Sequence, residues 1–178
     1  MTKNKLLKLI LSALFLAFAY VLPFLTGSNQ LLGKMFLPMH IPVLLCGFIC
    51  GWYWGLSVGF IAPLLRGLTI GAPPFPTMAV PMAFELATYG AIAGLMHRIL
   101  PKKKPFIYVS LIIAMVSGRI INGIASAIVM GASGKPYGFE AFIGGALIWA
   151  MPGILVQIAL IPPLVMVLES KNVLNLNK

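Results

Sequence analysis

Charge is scarce in this chain, and acid is scarcest: 9% of its 178 residues are charged, and only three of them are acidic. Soluble domains carry about 25% charged residues, so this poverty, with 60% hydrophobic residues and a mean hydropathy of +1.01, excludes a water-soluble globule. Cysteine is nearly missing too. Cys46 and Cys50 lie one helical turn apart in an apolar run without histidine or acid at ligand spacing, which argues for packing and against a metal or redox pair. No nucleophile stands with a histidine and an acid at recognisable spacing, and no glycine loop is built to cradle phosphate. No catalytic residue, metal ligand or cofactor is therefore assigned, and the chain is not expected to be an enzyme. Low-complexity segments and internal repeats are also lacking, so the inverted-repeat plan of many secondary transporters finds no support.

What is present is apolar sequence along the whole length, more than a cleaved signal peptide explains. Thirteen Lys and Arg give a formal charge of +10. Most of them flank apolar runs, where they set topology and meet anionic lipid. Basic patches interleaved with aromatics are absent, so nucleic acid is not an expected partner. At about 20 residues per crossing, six spans are expected, at 6–25, 36–50, 52–70, 77–100, 106–130 and 139–168. The expected fold is an all-α six-transmembrane-helix bundle forming one integral membrane domain over residues 1–178. Lys3, Lys5 and Lys8 precede the first span, Arg98 and Lys102 to Lys104 follow the fourth, and Lys171 and Lys178 follow the sixth. That alternation predicts cytoplasmic termini.

An ionisable residue at membrane depth costs several kcal/mol unless it is paired or wet, so it marks a candidate site. Arg119 lies about 13 residues into its span, roughly 20 Å up. Arg66 is expected at nearly the same height, and Glu85, about eight residues below the opposite face, descends roughly 12 Å to that layer. His40 in "LPMHIP", Tyr89 one turn from Glu85, Asn122 one turn from Arg119 and Trp149 in "ALIWAMPG" complete the candidate substrate-binding set, with Pro152 placed to kink the last span. Either arginine can pair with Glu85. One carboxylate cannot neutralise both, and a surplus cation favours a ligand with carboxylate, phosphate or several acceptor oxygens. A purely structural ion pair is the competing reading. Packing for Trp149 and an interfacial capping or loop-bonding role for His40 are the alternatives to ligand contact, and Gln157 is expected to hydrogen-bond between helices.

Ala13 and Ala17 stand four apart in "SALFLAFAYVLPF", a spacing that serves close helix approach, within the chain or with a partner. With "LPMHIPVLLCGFICGWYWGLSVGFIAPLLRGL", "MAFELATYGAIAGLM" and "SGRIINGI", the sequence resembles the substrate-binding S components of energy-coupling factor (ECF) vitamin transporters, in the branch containing pantothenate, pyridoxine-type and riboflavin proteins. The resemblance implies a multi-pass protein of the bacterial plasma membrane. Such a protein captures a small water-soluble vitamin from outside, under a cap formed by the loop between the first two spans. It docks through Ala13 and Ala17 onto an ECF T component, and two partner ATPase subunits hydrolyse the ATP. The expected solute is pantothenate, with pyridoxine or a hydroxymethylpyrimidine and riboflavin as alternatives. A solitary secondary transporter or channel is the reading from another class.

Overall fold

The computed structural model describes residues 3–26, 35–101, 103–134, 138–144 and 150–170. Helix α1 (Lys3–Val21) runs into a short 3-10 turn (Leu22–Thr26) and is followed by α2 (His40–Cys50), α3 (Trp52–Ile70), α4 (Ala79–Ile99) and α5 (Lys104–Ala132). A short α6 (Phe139–Ile143) and then α7 (Met151–Ser170) follow. No strand occurs among the described residues. Five of the helices are long and apolar enough to cross a membrane, which makes this a multi-pass membrane protein.

Two expected spans differ from the sequence reading. The second begins at His40, not near residue 36, and its 11 residues rise only about 16 Å. The cause is local: Leu37 adopts a left-handed backbone conformation (φ 49°), which a bulky residue disfavours, and Pro38 follows it. The sixth expected span appears as α6 and a separate α7. Pro152 lies in the first turn of α7, where the missing N–H leaves no helical bond unmade, so it starts this helix where a kink was expected.

Helix α4 is the hub, packed against α2, α3 and α5. In lipid, helices gain little from hiding apolar surface from one another, and close backbone approach takes over. Glycines provide it here. A Cβ on Gly55 would lie 2.6 Å from the Gly90 carbonyl oxygen, and one on Gly94 would lie 2.6 Å from that of Gly47. Backbone cannot move aside as a flexible side chain can. Gly55→Leu is therefore expected to lower thermal stability in detergent by about 3 kcal/mol, the upper range for overpacking, while Leu56→Ala on the exposed side of the same helix changes it little. Equal melting temperatures for the two variants would remove this crossing as a stability determinant.

The outer surface carries the complementary pattern. Ile112, Val116, Ile120, Ile124 and Ile128 of α5, spaced every fourth residue, are all exposed, a continuous apolar stripe suited to acyl chains. Inside, one cluster gathers Leu44, Phe48, Tyr89, Leu111, Met115 and Ile161. A second gathers Ala19, Val43, Ile49 and Leu86 with Cys46 and Cys50, both of which are free thiols.

Candidate functional site

Three helices deliver polar groups to one point in this apolar interior. Glu85 of α4 is 2% exposed, and each of its oxygens has an assigned neighbour. Arg119 Nη1 lies 2.9 Å from Oε1, and Asn122 Nδ2 donates to Oε2 at 2.8 Å. Arg119 and Asn122 are one turn apart on α5, so one helical face grips both sides of the carboxylate. Ser126, a further turn along, donates to Asn122 Oδ1 at 3.4 Å and so turns the amide's N–H₂ toward Glu85.

His40, at the start of α2, brings Nε2 to 3.6 Å from Glu85 Oε1. Its ring meets Tyr89 edge to face at a centroid distance of 5.3 Å. Both are fully buried. Gly118, immediately before Arg119, permits this arrangement, because a Cβ there would enter the Tyr89 ring and approach the Glu85 carbonyl oxygen to 3.1 Å. The glycine in "SGRIINGI" thus makes room for the aromatic wall of the cluster.

Several buried atoms have no hydrogen-bond partner among the described residues: Arg119 Nε and Nη2, His40 Nδ1 and both amide atoms of Gln157. An unmade buried bond costs about 1–3 kcal/mol, so each is a place where a bound molecule gains by supplying the partner. Nε and Nη2 form the side edge of the guanidinium, the geometry that takes two acceptor oxygens at once. Gln157 was expected to bond between helices, yet its amide is unpartnered among the described residues. Ile154, Ile158 and Ile161, on the same face of α7, pack against the cluster that contains Tyr89. The fully buried amide therefore turns toward this interior.

Arg66 does not share the layer. Gly67 opposes Ala79, with 2.9 Å between their Cβ positions, and in this antiparallel pair Arg66 is level with the next residue of α4, five before Glu85, so it sits roughly 8 Å from the Glu85 level. Its guanidinium donates to the Tyr20 carbonyl at 2.7 Å and lies over the Phe24 ring at 4.5 Å. Tyr20 also bonds Thr69 through its hydroxyl, at 3.1 Å. Arg66 thereby ties the end of α1 and its 3-10 turn to α3, and the surplus cation expected beside Glu85 is not there. Trp149, and the segment expected to cap a pocket between the first two spans, lie outside the described residues.

Fold and cluster define a class: a multi-pass, all-helical membrane protein with a polar site held inside its helices. The chain belongs to the family of ECF transporter substrate-specific components, whose description matches residues 7–165. No curated protein and no solved structure matches it. It is a substrate-recognising transporter subunit, not an enzyme.

Proposed function

We propose that this subunit captures a small water-soluble vitamin or vitamin precursor bearing a carboxylate, with pantothenate the best match, at the cluster of His40, Glu85, Tyr89, Arg119 and Asn122. One observation carries this reading: the Arg119 side edge is buried and unpartnered among the described residues while its Nη1 is held by Glu85. The pair is charge-balanced, so affinity for a carboxylate rests on two aligned N–H groups in a low-dielectric site and not on excess positive charge. Trp149 is proposed as an aromatic wall of the same site. Arg66 takes part by fixing the end of α1, one helix away from the carboxylate.

A second reading has its own observation. The His40–Tyr89 ring pair, with the Gln157 amide unpartnered among the described residues, suits a neutral heterocycle such as pyridoxine, a hydroxymethylpyrimidine or riboflavin. Mass spectrometry of the small molecule that co-purifies with the full chain separates the two. A carboxylate-bearing vitamin is expected. A neutral heterocycle transfers the assignment to the second reading, and a bound solute of neither class defeats both.

Uptake is proposed to require an ECF T component and two ATPase subunits in a bacterial plasma membrane. Ala13 and Ala17 support this, since both are exposed on α1 while Ser12 and Ala19 face inward. Small residues on an uncovered face let a partner helix approach closely. Ala13→Trp or Ala17→Trp should abolish uptake in the assembled complex and leave solute binding by the isolated subunit within twofold. Uptake at wild-type rate in both variants would move the docking surface elsewhere, and transport by the subunit alone would point to a solitary carrier.

A further inference from the structure

At the end of the bundle far from the first turn of α4, a cavity of about 100 Å³ opens between the last turn of α4, the start of α5 and the end of α7. It is smaller than the roughly 300 Å³ at which sites for drug-sized ligands begin, so it is not a second vitamin pocket. Its walls divide by chemistry. Lys103, Lys104, His97 and Ser110 give polar groups, and Phe106 and Met166 are among the apolar ones. No acidic residue lines it among the described residues.

The backbone adds to the positive side. Lys103 is the N-cap of α5, a helix of 29 residues, with no side-chain cap and no acid in the first turn. Pro105 has no N–H and Phe106 N–H donates to the Lys103 carbonyl at 2.9 Å, so the terminus offers an external anion the Lys104 N–H and its partial positive charge. Around the cavity the surface is apolar: Ile99, Val109 and Val167 are all exposed. An anion arriving here from lipid brings acyl chains that lie against those residues. Free phosphate would make no use of that apolar edge.

We propose that this cavity binds the phosphate group of an anionic phospholipid, held by Lys103, Lys104 and the N-terminus of α5, with its acyl chains along α4, α5 and α7. The lysine stems can lie along Phe106 while the ammonium groups stay at the interface, the arrangement expected for basic pockets between membrane helices.

The test uses the full chain purified from membranes containing phosphatidylglycerol, with retained lipid counted by native mass spectrometry. Wild type and Lys5→Gln, a charge loss outside the cavity, should keep the lipid, and Lys103→Gln/Lys104→Gln should retain at least tenfold less. Lys103→Arg/Lys104→Arg, which preserves charge, should retain it and so separates loss of the site from misfolding. Equal retention in the glutamine double variant and wild type overturns the proposal. So does displacement of the lipid by millimolar inorganic phosphate, which would make this a free-anion site. If the glutamine variant keeps its lipid but fails to assemble with partner subunits, the lysines serve an acidic protein surface and the lipid assignment falls.

Discussion

Glu85→Ala is expected to destabilise the subunit by about 3–5 kcal/mol, the range for removing one partner of a buried ion pair. The loss exceeds that of two contacts because of what stays behind. Arg119 would keep a guanidinium 13% exposed with its carboxylate gone, and Asn122 would lose the acceptor of its 2.8 Å bond. Arg119→Met in the same background removes the stranded cation, so the double variant should recover a large part of the loss. The measurement is a double-mutant cycle on melting temperature in one detergent. Additive effects of the two changes would mean that Glu85 and Arg119 do not stabilise one another. Ligand-free protein has to be used, since a bound solute adds stability of its own.

Although Arg66 was left an equal candidate for the pair, the shared level of Glu85 and Arg119 was legible in the sequence because both lie near the middle of long, well-bounded helices. An error of one or two residues at each end shifts such a residue by only a few ångströms. The same arithmetic failed for Arg66. It assumed that each helix begins at a common plane, whereas the glycine contacts between α3 and α4 fix a register in which Gly67 meets Ala79. Register is a property of two helices, and composition of one cannot reveal it.

The glycines themselves were visible and were passed over. Gly47, Gly51, Gly55 and Gly59 recur every fourth residue, and Gly90 and Gly94 repeat the spacing on α4. This is the small-residue pattern that allows close approach of membrane helices, and the sequence reading applied it only to Ala13 and Ala17. Among the described contacts the two patterns divide by role. The glycines of α2, α3 and α4 pack within the chain, and the two alanines remain uncovered on α1. The short α2 was hidden for a different reason. Its apolar run continues back through Leu37 and Phe36, and a left-handed leucine beside a proline is a conformation that hydrophobicity does not encode. Gln157 was expected to hydrogen-bond between helices, and among the described residues its buried amide makes no such bond. Its unmet amide emerges only from the packing around it.

Arg119→Lys should weaken binding of a carboxylate-bearing solute by about 30-fold, which corresponds to about 2 kcal/mol. Charge is conserved in this change, so the loss isolates geometry. A lysine ammonium can still reach Glu85, but it offers point-like donors in place of the planar edge formed by Nε and Nη2. Arg119→Ala removes both and should be at least as damaging. Arg66→Lys provides the contrast, because Arg66 touches the Tyr20 carbonyl and the Phe24 ring and not Glu85. It should lower stability by about 1 kcal/mol, the scale of one hydrogen bond and one cation–π contact, and leave the dissociation constant within about threefold, under 0.7 kcal/mol. Calorimetric titration of the solute that co-purifies, in the same detergent for all variants, gives the constants, and melting curves give the stabilities. If Arg119→Lys binds as tightly as wild type while losing stability, Arg119 is a structural partner of Glu85 and the carboxylate reading fails. If Arg66→Lys is the variant that loses affinity, the solute is held at the end of α1, roughly 8 Å along α4 from Glu85.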